Sequence, residues 1–177
     1  MTPMEAVLGA ALPVAVYAVA KAAVQAAWLK TGLLEERWRE VSAMLSTARD
    51  AVGAIVEAER AFKVDCVRAA LYAPLLVVAY IGAPFEALGA AGLWAGAVAL
   101  YALLTLSDIE EEPTLGGRVG IAVENAALVY ALAELWLLSP LAAVALEAAE
   151  LSVERYLALR LLKRAYAEVV RGGGGEP

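Results

Sequence analysis

AALYAPLLVVAYIGAPF, residues 69–85, and ALGAAGLWAGAVALYALLTLS, residues 87–107, stand side by side with only Glu86 between them. Neither stretch holds a charge. As a helix rising about 1.5 Å per residue, the second covers roughly 30 Å, the hydrocarbon thickness of a bilayer. The first is shorter, but it continues a preceding helical pattern, and Arg68 can carry its charge to the interface on its apolar stem. Gly82-Ala83-Pro84 supplies a tight turn. The 67–107 region therefore reads as a hydrophobic hairpin inside a membrane.

Upstream the character changes. Leu34, Trp38, Val41, Leu45, Ala48, Val52, Ile55, Glu59, Phe62 and Cys66 follow one another at alternating steps of four and three, interrupted in polarity only at Glu59. Charged residues fill the intervening positions, and Glu35 with Arg39 and Glu59 with Lys63 are favourably ordered i,i+4 pairs. Residues 33–66 are thus predicted to be a water-exposed amphipathic helix with a narrow, coiled-coil-like seam.

Before it, residues 3–30 form an apolar helix. Thr2-Pro3-Met4-Glu5 has the form of a capping box with proline at the first helical position, and no basic segment precedes the apolar run, so a retained helix is expected rather than a cleaved signal. Pro13 removes one backbone donor and should kink it. Tyr17, Lys21, Gln25 and Trp28 fall on one stripe, which should face protein or water.

After the hairpin, Asp108 to Pro113 is an acidic connector with room for a one-turn helix capped by Ser107, and Gly116, Gly117 and Gly120 should loosen the next entry. Glu110-Glu111-Glu112 reads as a solvated loop. The 119–171 region holds two further helices, an apolar one ending near Leu138 and a last one starting at Ser139-Pro140. In the last helix Glu147, Glu150 and Glu154 come early and Arg160, Lys163, Arg164 and Arg171 late, an order suited to the helix macrodipole. Residues 172–177 read as a flexible tail. The whole of 1–171 is predicted to be a single all-α, multi-helix, membrane-associated domain.

Composition agrees. The chain is 62% hydrophobic and 19% charged, against about 45–50% apolar and about 25% charged in soluble domains. Much of the excess is alanine, which a tight soluble bundle would share; the uncharged runs favour lipid. A net charge of −6 disfavours nucleic-acid binding through phosphate neutralisation. With no histidine and one cysteine, the chain has no Ser-His triad, no Cys/His zinc site and no intrachain disulfide. No cofactor or metal is expected, and no enzymatic activity. Gln25 and Asn125 are the only side-chain amides, a depletion that selection for heat and GC-rich codon bias explain equally well.

Half of the fourteen Lys and Arg residues lie between Lys30 and Arg68, which places 30–68 on the cytoplasmic or inner side. Five more follow from Arg155 to Arg171. If the apolar helix ending near Leu138 crosses fully, these land outside, and the charge rule conflicts with a simple four-span arrangement.

Three ionisable residues sit within apolar helices: Lys21, Glu124 and Glu134. Charges at membrane depth cost roughly 2.5–3.5 kcal/mol each, so they are expected to pair, Lys21 with Glu134 or with Glu124. Gly92-Leu93-Trp94-Ala95-Gly96, extended by Gly89, is a small-residue face of the kind that lets helices approach closely in lipid, within the hairpin or between subunits. Cys66 on the seam reads as a small core residue. The expected role is a non-enzymatic structural or assembly protein that self-associates in or around lipid as a homo-oligomer, such as a membrane scaffold, an appendage or a viral shell. The alternatives are a small transporter or channel subunit using Lys21, Glu124 and Glu134, and, last, a membrane-bound enzyme.

Overall fold

The computed structural model describes residues 3–31, 39, 43 and 51–173. Five long helices account for nearly all of them: α1 (Pro3–Thr31), α2 (Ala51–Ile81), α3 (Ala90–Glu111), α4 (Leu115–Leu138) and α5 (Pro140–Gly173), with a 3-10 turn over Ala83–Leu88 between α2 and α3. The seam positions Leu34, Trp38, Val41 and Leu45 lie outside the described residues. From Ala51 onward the amphipathic segment and the first apolar stretch are one continuous rod, with Pro74 inside it.

Neighbouring helices run antiparallel. Gly9 near the start of α1 lies against Leu138 at the end of α4, and Trp28 near the end of α1 lies against Gly120 near the start of α4. Trp94 meets Tyr130 with ring centroids 6.0 Å apart, and the Tyr101 hydroxyl donates to the Ala122 carbonyl at 3.0 Å, which lays α3 along α4. On the other side α5 runs back along α2: Phe62 packs on Tyr156, and Ala143 shares a buried cluster with Val77 and Ile81. Ile81, Leu93, Leu132 and Leu135 are fully enclosed where the two hairpins meet.

α5 resolves the charge conflict. It returns alongside α2, so its basic residues sit at the same end of the molecule as Lys30, Arg60, Lys63 and Arg68. The opposite end, built from residues 81–90, 135–143 and the start of α1, contains no lysine or arginine from Leu8 onward. A full crossing by α4 would therefore be compatible with the basic tail, because α5 runs antiparallel to α4 and α2.

The outer surface of the bundle is unlike that of a soluble protein. Four helices, Leu8–Thr31, Val52–Ile81, Ala90–Glu111 and Leu115–Leu138, are long and apolar enough to cross a bilayer. Their outward side chains are oily: Leu12, Val19, Leu71, Leu75, Leu103 and Val119 are all more than half exposed. Within an otherwise apolar core, the inward side chains of the bundle include Lys21 of α1 and Glu147 and Glu150 of α5. A water-soluble bundle arranged this way would forfeit about 25 cal/mol for every Å² of apolar surface left wet. Lipid removes that cost, and the chain is a multi-helix membrane protein. The outward face of α5 between Pro140 and Val153 is likewise apolar, at Leu141, Ala145, Ala149 and Val153. Its acidic inner face is what gives this segment a soluble appearance in sequence.

Beyond the bundle, the charged halves of α2 and α5 pack on one another. Glu59, which breaks the apolar seam, is in contact with Lys163. Of the other seam positions, Ile55, Phe62 and Cys66 are half-buried and Val52 is exposed.

Several turn expectations change. The connector forms no separate helix, because α3 runs through Glu111. Glu112 is not solvated: it is buried, and its carboxylate accepts from the Thr114 hydroxyl at 2.7 Å and the Thr114 N–H at 3.2 Å. Thr114 caps α4 by accepting from the Gly117 N–H at 3.0 Å. The glycines expected to loosen this entry lie inside the helix and serve close approach. A Cβ on Gly117 would strike the Glu112 carboxyl, and one on Gly120 would stand 2.6 Å from the Trp28 indole nitrogen. The Gly92/Gly96 face is used within the hairpin, where the Phe85 ring lies over Gly96 and the Phe85 carbonyl over Gly92. Gly89 has a different part. Its φ of +85° ends the 3-10 turn and starts α3, with nothing packed on it.

Gly92→Ala should therefore lower stability by about 1–3 kcal/mol, the usual cost of overpacking a closed contact. Gly9→Ala, whose added carbon would meet the flexible Leu138 side chain at 3.4 Å, should change it by less than about 0.5 kcal/mol. Thermal unfolding in detergent micelles distinguishes the two; equal losses would rule out the Phe85 contact as the reason for Gly92.

Candidate functional site

The predicted stripe of α1 does face protein. Pro13, Tyr17 and Val24 are buried, and Lys21, Gln25 and Trp28 are half-buried, along the side that meets α4. Alanines form the facing surface, with Ala127 and Ala131 of α4 against Tyr17. Small side chains here let the two backbones close up and carry Lys21 to the bundle interior.

The Lys21 ammonium ends in a cage of oxygens. It stands 2.9 Å from the Glu124 carboxylate and 3.6 Å from that of Glu154, and in direct contact with that of Glu150. It also donates to the Tyr17 hydroxyl at 3.2 Å. An ammonium has three N–H donors, and Glu124, Glu150 and Tyr17 take them all. The Lys21 and Glu124 side chains are 15% exposed, Glu150 8% and Glu154 55%, so the cage deepens from a wet rim at Glu154 to a dry floor at Glu150.

Of the two partners anticipated for Lys21, the stagger of α1 on α4 selects Glu124. Glu134 is ten residues further along α4, roughly 15 Å away along the axis, and remains half-buried near the opposite end. Glu150 and Glu154 were assigned to the macrodipole and their part in this site was missed. The signal was present: residues 147, 150 and 154 recur at steps of three and four, the same test that picked out the Lys21 stripe. What the sequence lacked was any sign that α5 returns into the bundle.

Beside the cage lies a cavity of about 250 Å³. α5 lines it with Glu147, Glu150, Leu151 and Glu154; α2 adds Tyr80, α3 Tyr101, Leu104 and Asp108, and α4 Asn125, Leu128 and Val129. The Asn125 amide donates to Asp108 at 3.0 Å. Glu147 is 1% exposed, and its Oε2 has no hydrogen-bond partner among the described residues. A carboxyl group in such a place either keeps its proton or faces a cation. Glu150 and Glu154 are shared, facing Lys21 on one side and the cavity on the other.

One oxygen from each of Glu124, Glu150 and Glu154 lies within 4.8 Å of the others, close enough to hold a metal ion. The Lys21 ammonium already sits among these carboxylates and supplies the positive charge that such an ion would bring.

Replacing Lys21 with methionine should cost about 3–5 kcal/mol, because it strands buried carboxylates without their counter-charge. Glu134→Gln should cost far less, about 0.5 kcal/mol. Thermal melts in detergent provide the comparison, and an undiminished melting temperature for Lys21→Met would show that the cage does not hold the helices together.

Comparison with protein-family models, curated proteins and solved structures finds no match to this chain.

Proposed function

We propose that this protein binds a cation within the bilayer and moves it across, the carrier or channel reading of the Lys21 and Glu124 pair. The observation that carries it is an excess of carboxyl groups over ammonium groups. A structural tie needs one carboxylate for one ammonium, yet Glu124, Glu150 and Glu154 converge on Lys21, and beside them the Oε2 of Glu147 has no hydrogen-bond partner among the described residues. Such a site favours a second, exchangeable positive charge. The half-exposed Glu154 gives it a route to one face of the membrane.

The scaffold reading loses one support, since the Gly92/Gly96 face is occupied within the hairpin rather than free for another subunit. Self-association through the outward apolar faces remains its basis. Neither reading requires catalytic chemistry. The distribution of Lys and Arg supports an orientation with the extended α2/α5 end in the cytoplasm and the 3-10 turn outside.

Flux decides the function. Purified protein in liposomes should dissipate an imposed proton or monovalent-cation gradient faster than protein-free vesicles, and Glu147→Gln should slow it by about ten-fold or more. Flux at the protein-free rate under every gradient would refute transport. In a Cys66→Ala background, Ala87→Cys should react with an impermeant maleimide added to intact cells and Arg164→Cys should not; the opposite pattern would reverse the orientation.

A further inference from the structure

We infer that the cavity beside Lys21 is a binding site for a small organic monocation, an alkylammonium or arylalkylammonium whose charged head meets Glu147 and whose body lies against Tyr80, Tyr101 and Leu128. The inference rests on the cation-handling reading and specifies the cation. Three features of the cavity choose it.

The first is the asymmetry of the walls. α5 lines one side with Glu147, Glu150 and Glu154, while α2, α3 and α4 line the other with Tyr80, Tyr101, Leu104, Leu128 and Val129 and with Asp108 and Asn125, which bond to each other. A bare inorganic ion is best held by oxygens converging from several directions at short range. Three acids on α5 facing a wall whose one acid, Asp108, is held by Asn125 and whose other residues are aromatic or apolar match a molecule charged at one end and oily at the other, and aromatic rings add attraction for ammonium groups.

The second is volume. About 250 Å³ is far more than one unhydrated ion fills, and liquid water occupies about 30 Å³ per molecule. The space suits a molecule of several carbons; waters there would find partners in the acids and Asn125 but none along Leu104, Leu128 and Val129.

The third is Glu147. It is 99% buried, its Oε2 lacks a partner, and it lines the cavity. A ligand ammonium would satisfy it. The metal-sized gap among Glu124, Glu150 and Glu154 is a separate place, already occupied by Lys21. Because Glu150 and Glu154 face both positions, the bound ammonium and Lys21 share two carboxylates, so occupancy of the cavity weakens the hold of the cage on Lys21.

Isothermal titration calorimetry on the detergent-solubilised full chain tests this, with n-butylammonium and phenethylammonium chloride as probes and sodium chloride, calcium chloride and n-butanol at matched ionic strength as comparisons. Both ammonium probes should bind saturably and n-butanol should not. Glu147→Gln should weaken binding roughly ten- to hundred-fold, the size of a lost charged hydrogen bond. Should that variant fail to fold, Glu154→Gln, at the exposed rim, should still weaken binding about ten-fold. No heat from either ammonium probe, sodium or calcium binding that the ammonium probes fail to displace, or unchanged affinity in the variants would each overturn the inference. Ammonium binding without any vesicle flux would keep this site and remove the transport reading; proton or sodium flux without ammonium binding would do the reverse.

Discussion

The structure depends on one requirement: a lysine ammonium placed among apolar helices must find its acceptors inside the protein. Lys21 has exposed apolar neighbours on the other sides of α1, and its own side chain is only 15% exposed. Its three donors are met by Tyr17 one turn earlier, by Glu124 of α4 and by Glu150 of α5. Those contacts set the stagger of α1 on α4 and the depth to which α5 returns. Apolar contacts alone would specify neither well, because the facing surfaces are largely alanine and one alanine ridge resembles the next. A buried ion pair is a poor source of net stability, but it is an effective way to choose one register among many similar ones.

The second constraint is a change of character in mid-helix, in both α2 and α5. α2 is charged up to Arg68 and uncharged from Ala69 to its end, and α5 is acidic within the bundle and basic beyond it. In the wet half the two helices meet through Phe62 and Tyr156 and through the Glu59–Lys163 contact, which is half-exposed and adds little energy by itself. The same two rods therefore serve as membrane wall and as projecting arm, and any tilt of one half is transmitted to the other through unbroken backbone.

Much of this was legible in sequence because it is local. Uncharged length identifies the hairpin, Gly82 and Pro84 mark its turn, and helical spacing puts Lys21 and Tyr17 on an inward stripe. What was hidden depends on how helices stand against each other. Glu124 and Glu134 occupy the same stripe of α4, and only the seating of Gly9 on Leu138 and Trp28 on Gly120 decides between them. α5 was harder still, since a helix with acids on its inner face and alanine outside has the composition of a soluble helix. Gly117 and Gly120 looked like flexible punctuation, whereas Glu112 and Trp28 occupy the space their side chains would need.

The excess of carboxylates is the feature that a purely architectural account leaves over. One ammonium and one carboxylate would suffice to fix the stagger, and an apolar pair of similar volume would serve about as well for stability. Each further buried carboxylate adds desolvation cost with no added register, and Glu147 gains no hydrogen bond at Oε2 in return. Such a group raises the energy of the empty bundle relative to one that holds a positive charge. On the proposed reading, a bundle poised in this way would bind a cation more tightly than a neutral cavity of the same shape, and would release it when a proton or the Lys21 ammonium took its place. Reversible exchange of that kind is what a carrier requires, and a scaffold would have no use for it.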